Sequence, residues 1–293
     1  MRWRLGMVLA VAWAGCAMAQ QAPGPVGDPE GPWRMQIHRV PLDIAGTRYL
    51  LHSRVCRPPG EISARVVVIA HGSPPDAGAR PGMKPLSCDS EAARWFLDRG
   101  FVVIAAMRRG YGETGGYWAE NSGRCPEVDY ARSGLETARD IAATVDYAAT
   151  LPFAKPQGMV LVGQSAGGWG AIAYNAMPHP RVSAIVNMAG GRGGHQEFTA
   201  NSNCRPDLLA QAAGQLARGA TTPMLWVYSE NDSFFAPAIA AALYAAYTQN
   251  GGKAEFERPA PFSHDGHRLF FGSGGSQIWG PIVMRYLASR PAQ

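Results

Sequence analysis

The sequence predicts one α/β domain, a mostly parallel central sheet covered by helices on both faces. Three observations predict it. Runs such as Val66-Val67-Val68-Ile69-Ala70 and Phe101-Val102-Val103-Ile104-Ala105-Ala106 are apolar throughout, as strands buried on both faces are. Helical patterns alternate with these runs. One run, Met159 to Val162, enters Gly163-Gln164-Ser165-Ala166-Gly167 and leaves into the helix-like Ala171 to Ala176.

The chain begins with the marks of a secretory signal. Arg2 and Arg4 form a positive start, Leu5 to Ala14 an apolar stretch too short to span a bilayer, and Ala17-Met18-Ala19 a small-x-small cleavage site. The mature chain is expected to start at Gln20, in an exported protein of the periplasm or the medium. Lipoprotein processing at Cys16 is the alternative, with Trp13 standing where such sites usually carry Leu. Residues 20–32 are a Pro/Gly-rich leader expected to be mobile. Residues 33–293 form the domain.

Within it, Met35 to Ile44 and Thr47 to Cys56 flank Ala45-Gly46 and read as a hairpin. The Val66 strand is followed by a helix from Ser90 to Arg99, closed by Gly100, and then by the Phe101 strand. Asp129 to Thr150 is a long amphipathic helix stopped by Leu151-Pro152. After the Ser165 segment come a strand at Val182 to Met188, a helix at Pro206 to Arg218 and a strand at Pro223 to Ser229. A helix at Pro237 to Gln249, a strand at Lys253 to Arg258 and a helix at Gln277 to Ala288 close the chain. There is no internal repeat, and the connection Gly190 to Ala220 leaves little room for a lid.

The net charge of +5 is spread as scattered Arg among acids, without basic runs. That pattern argues against a nucleic-acid or membrane-surface role.

Gly-x-Ser-x-Gly between a buried strand and a helix is the setting of a nucleophile elbow, where the strained turn lifts Ser165 Oγ clear of the backbone. Gly163 and Gly167 are glycine because a Cβ at either would collide across the turn. A serine hydroxyl needs a base to take its proton, and the base needs a carboxylate to fix its tautomer. Both should follow later strands, acid before histidine. Tyr228-Ser229-Glu230-Asn231-Asp232 ends one strand, and Asp232 is the candidate acid with Glu230 second. His264-Asp265-Gly266-His267 follows the last strand, and His267 is the candidate base with His264 second. An oxyanion hole is also needed. Its candidate donors are the backbone N–H groups of Ala166 and of Ser73 in His71-Gly72-Ser73, with His71 a structural residue.

Taken together, Gly163-Gln164-Ser165-Ala166-Gly167, His71-Gly72-Ser73, Asp232 and His267 resemble the α/β-hydrolase superfamily over residues 40–287. Arg108-Arg109-Gly110-Tyr111-Gly112-Glu113-Thr114 resembles that superfamily's Asp-x-Arg-Gly-x-Gly-x-Ser loop, with Met107 replacing the Asp and Thr114 the Ser. The short cap and the contexts of Asp232 and His267 are most similar to dienelactone-hydrolase-like and exported serine esterases. The resemblance implies an α/β-hydrolase fold with a small lid or none. It also implies hydrolysis of a small carboxylic ester through an acyl-enzyme. The nucleophile of the best-known dienelactone hydrolases is Cys, so Ser165 points toward ester chemistry. A serine peptidase of the same fold is the alternative, though without the large propeller or lid many such enzymes use. A catalytically silent binding protein is a third reading.

Other signals carry less. Gly110-Tyr111-Gly112-Glu113-Thr114-Gly115 fits a dinucleotide fingerprint but does not open into a helix. His264 and His267 lack a third ligand at useful spacing, so no metal and no cofactor are expected. Gly272-Ser273-Gly274-Gly275 reads as a connector. Trp118, Trp169, Tyr111, Phe234 and Phe235 are candidates for an acyl-pocket wall or for core.

Beyond the leader the chain has Cys56, Cys88, Cys125 and Cys204, an even count in an exported chain. Cys88, Cys125 and Cys204 each follow a parallel strand and are placed at the sheet's carboxyl edge, with Cys56 at the opposite edge. A bridge needs Cα atoms within about 7 Å, so Cys88–Cys125 is the expected pair.

Overall fold

The computed structural model describes residues 22–60, 63–178 and 180–290. The signal segment, and Cys16 with it, lies outside the described residues. Among the described residues nine strands form one sheet: β1 (Gly24–Glu30), β2 (Met35–Ile44), β3 (Thr47–Cys56), β4 (Val66–Ala70), β5 (Val102–Ala106), β6 (Met159–Gln164), β7 (Val182–Met188), β8 (Met224–Val227) and β9 (Ala254–Glu257). Their spatial order is β1-β2-β3-β5-β4-β6-β7-β8-β9. The first three are antiparallel, β3 also to β5, and the rest are parallel.

Period-two alternation explains the uniformly apolar strands. Val66, Val68 and Leu161 face one layer, built from α2 (Tyr130–Ala148), α3 (Ala166–Asn175), α4 (Pro206–Ala217) and α5 (Pro237–Gln249). Val67, Ile69, Val160 and Val162 face the other, built from α1 (Glu91–Leu97) and α6 (Ser276–Ala288). Both faces are dry, so no polar alternation survives. Helix starts are capped as their sequences suggest: Ser90 Oγ accepts from Ala93 N at 3.2 Å and Asp129 Oδ1 from Arg132 N at 2.9 Å.

Two expectations need correction. Most of the segment expected to be a mobile leader forms β1, paired with β2 from Gly24↔Arg39 to Glu30↔Met35. Its prolines are compatible with this because β1 is the outermost strand, where alternate N–H groups face away from the ladder.

The disulfides are Cys56–Cys88 and Cys125–Cys204, with Cα–Cα distances of 5.7 and 5.9 Å, rather than Cys88–Cys125. Cys56 does lie at the amino edge, opposite Val103 near the start of β5. The misplaced residue is Cys88. Helix α1 has only 7 residues, about 10 Å of rise, so the connection leading to it carries the chain back from the carboxyl edge before the helix begins. Cys88 therefore packs with Cys56 and Phe96 in one layer. Cys125 and Cys204, both in carboxyl-edge connections, then pair with each other.

Candidate active site

The turn after β6 is as tight as the glycines imply. A Cβ on Gly163 would stand 2.2 Å from the Gly167 carbonyl oxygen, and one on Gly167 would stand 2.2 Å from the Ala70 oxygen. Ser165 takes φ 54° and ψ −119°, a strained conformation for a residue with a side chain. Neighbouring backbone holds it there. Ser165 N donates to the Met188 carbonyl at 3.0 Å, and Gly191 N donates to the Ser165 carbonyl at 3.2 Å. Ala166 begins α3, so its N–H belongs to the unpaired first turn.

The strand after the α4 helix delivers the candidate acid. Asp232 is 2 % exposed, and its Oδ1 accepts from Phe234 N and Phe235 N, each at 2.8 Å. His267 Nδ1 lies 3.1 and 3.0 Å from Asp232 Oδ1 and Oδ2. The two loops are tied together by residues the sequence reading did not single out. Asp265 Oδ1 accepts from His267 N and Ser233 N, both at 3.0 Å, and its Oδ2 from Ser233 Oγ at 2.8 Å. Burial opposes ionisation of Asp265, yet these bonds from His267 and Ser233 hold its carboxyl below the usual range. Gln164, beside the serine, donates to the His267 carbonyl at 3.1 Å. Glu230 is exposed, and His264 lies at the surface against Ser263 and Arg268.

The His71–Ser73 loop passes beside the elbow because β4 and β6 are neighbours, Ala70 opposite Gly163. A Cβ on Gly72 would meet Gln164 Oε1 at 2.5 Å and Ser165 Cβ at 3.1 Å. His71 Nδ1 bonds the Gly72 carbonyl at 2.6 Å, and its Nε2 accepts from Arg108 N at 3.3 Å. Burial, with Arg108 adding, lowers His71 to about 3. It is a neutral structural group.

The loop after β5 does not open directly into a helix, as a dinucleotide fingerprint would. Its Gly112–Thr114 turn leads into further loop, and Arg109 is committed to Asp140 at 2.7 Å and to Glu136 at 2.9 Å. Thr114 Oγ1 donates to the Met107 carbonyl and accepts from His52 N, tying the loop to β3. Of the aromatic candidates, Trp169, Tyr111 and Phe235 are core, while Trp118 and Phe234 are half-buried. A cleft of about 820 Å³ between β2 and α2, lined by Leu42, Arg139 and Tyr147, contains none of the candidate residues. Among the described residues no cluster suits a metal, and no helix is long and apolar enough to cross a membrane.

The fold agrees with comparisons to known proteins. The model of the prolyl oligopeptidase family matches residues 87–190. No curated protein matches the chain by sequence. Among solved structures, an acetyl xylan esterase from Paenibacillus sp. R4 superposes with a TM-score of 0.62 at 16% identity, over 92% of this chain and 88% of that one. A Klebsiella pneumoniae protein described as a dienelactone hydrolase gives 0.56 at 14%, over 87% and 98%. An acylaminoacyl peptidase from Pyrococcus horikoshii gives 0.56 at 14%, over 87% of this chain but 41% of that one. The chain thus has the α/β-hydrolase fold, as its motifs imply. Dienelactone hydrolases, acetyl xylan esterases and peptidases of that fold are what it is similar to.

Proposed function

We propose that this protein is a serine hydrolase that cleaves a carboxylic ester. Ser165 Oγ attacks the carbonyl carbon while His267 takes its proton. The C–O bond to the alcohol then breaks as His267 returns that proton to the leaving oxygen. Water, deprotonated by the same imidazole, releases the acid from Ser165. Asp232 holds the Nδ1–H tautomer and stabilises the imidazolium. The N–H groups of Ala166 and Ser73 receive the negative charge of the tetrahedral intermediate.

The observation that carries this reading is the pairing of His267 Nδ1 with both oxygens of a buried Asp232, in a loop bonded to the residue preceding a strained Ser165. The family match favours a second reading, a peptidase acting on short peptides. The ester reading is preferred because the acetyl xylan esterase likeness extends over 88% of that chain, against 41% for the peptidase. Side-by-side turnover of p-nitrophenyl esters and peptide p-nitroanilides tests the choice. Faster turnover of anilides would transfer the assignment to the peptidases.

The two disulfides and the secretory-signal pattern of residues 1–19 support export to an oxidising compartment.

A further inference from the structure

Glu120 carries no motif, yet its carboxylate is the most heavily bonded group beside the Ser73 loop. It is 2 % exposed. Oε2 takes Arg108 Nε at 3.0 Å, Arg192 Nη2 at 2.6 Å and the Thr137 hydroxyl. Oε1 takes Arg108 Nη2 at 3.1 Å, Trp118 Nε1 at 3.3 Å and the Tyr111 hydroxyl. Burial opposes its charge, but Arg108 and Arg192 outweigh burial and hold the carboxyl well below the usual range. Glu120 is therefore an acceptor only.

Counting protons around Tyr111 sets the direction of the next bond. Tyr111 has one hydroxyl proton, and it donates that proton in a hydrogen bond to the ionised Glu120. Trp118 Nε1, 2.9 Å from the Tyr111 oxygen, can only donate. The remaining neighbour, Ser73 Oγ at 2.8 Å, must then donate its own proton to Tyr111. Ser73 has its hydroxyl committed to the protein, so what it offers a substrate is its backbone N–H. Arg108, fixed by the same carboxylate, braces the loop's other end by donating from Nη1 to the His71 carbonyl at 2.6 Å.

We propose that Glu120 and Tyr111 are positioning residues: Glu120 orients Tyr111 and Arg108, and these hold Ser73 and His71 so that the Ser73 N–H is in place before the oxyanion forms. The proposal rests on the ester-hydrolase reading and adds residues that touch no substrate. Donors act in catalysis only if preorganised, so a loosened donor slows turnover without weakening ground-state binding.

The test uses Tyr111→Phe and Ser73→Ala, since Glu120→Gln strips the counter-charge from two buried guanidinium groups and risks the fold. With p-nitrophenyl acetate, each is expected to lower kcat about 10-fold, with KM within about 2-fold. Phenylboronic acid, which mimics the tetrahedral intermediate, should bind each about 10-fold more weakly. The double variant should lose about 10-fold as well, because both changes break one link. Losses that multiply to about 100-fold, or an unchanged kcat, would overturn the relay. Hydrogen exchange over residues 71–76 should quicken in both variants, and unchanged exchange would also reject it. Ser165→Ala is the separate control. If Ser165→Ala keeps its turnover, Ser165 drops out of the mechanism, and the exchange data alone decide whether Tyr111 orders the loop.

Discussion

Phe234 lies flat against His267, with ring centroids 4.1 Å apart and planes 23° apart. The same residue donates its backbone N–H to Asp232, so one position orients both the imidazole and its carboxylate. On its outer face Phe234 carries His195, stacked at 3.5 Å, whose Nε2 lies 2.9 Å from Ser233 Oγ. The His267 ring is thus held by an aromatic wall and by the Asp232 carboxylate.

Replacing Phe234 by Ala should leave a folded protein with kcat lowered about 10-fold, through a mobile imidazole and loss of a contact that favours the imidazolium. Steady-state kinetics check this. An unchanged kcat would show that Asp232 alone orients the base.

The serine itself is the sharper test. Ser165→Ala should lower kcat/KM by about 10³-fold or more and abolish labelling by a fluorophosphonate probe, with the melting temperature retained. His267→Ala should fall comparably and His264→Ala by a few-fold at most. The reverse order would reassign the base.

For the disulfides, a non-reduced digest analysed by mass spectrometry should yield linked peptides Cys56–Cys88 and Cys125–Cys204. A peptide joining Cys88 to Cys125 would contradict the pairing. The bridges close spans of 32 and 79 residues, so each stabilises the chain by about 4 kcal/mol in the loop-entropy model. Reduction should lower the denaturation midpoint accordingly.

Two histidines, His38 buried and His71 half-buried, predict the response to acid. Burial, with Arg57 adding, lowers His38 to about 4, and His71 is held to about 3. In the unfolded chain both take a proton near pH 6.5. Below that pH the unfolded state binds more protons than the native state. Stability is therefore full above about pH 6.5 and falls on acidification until the native histidines protonate, by up to about 1.4 kcal/mol per pH unit for each. Urea midpoints at pH 7 and pH 5 measure the slope, and His38→Gln should flatten it. An equal slope in that variant would remove His38 from the account.

What the sequence determined by itself is the part written in local pattern. The strand runs, the caps at Ser90 and Asp129, and the glycines around Ser165 each follow from a few adjacent residues, and the folded chain has those elements close to the expected bounds. The proximity of Asp232 to His267 was also legible, because parallel topology brings the ends of successive strands to one edge. Tertiary structure alone decided the rest. The cysteine pairing depended on the path of the connection before the short α1, which no local pattern records. Likewise, which aromatic side chains fill the core and which stay half-buried turned on packing between layers. The cluster around Glu120 draws on Arg108, Tyr111, Trp118, Thr137 and Arg192, from separate loops and a helix. Each is an ordinary polar or aromatic residue in its own neighbourhood. Only burial together, where an unpaired charge is costly, makes them a unit.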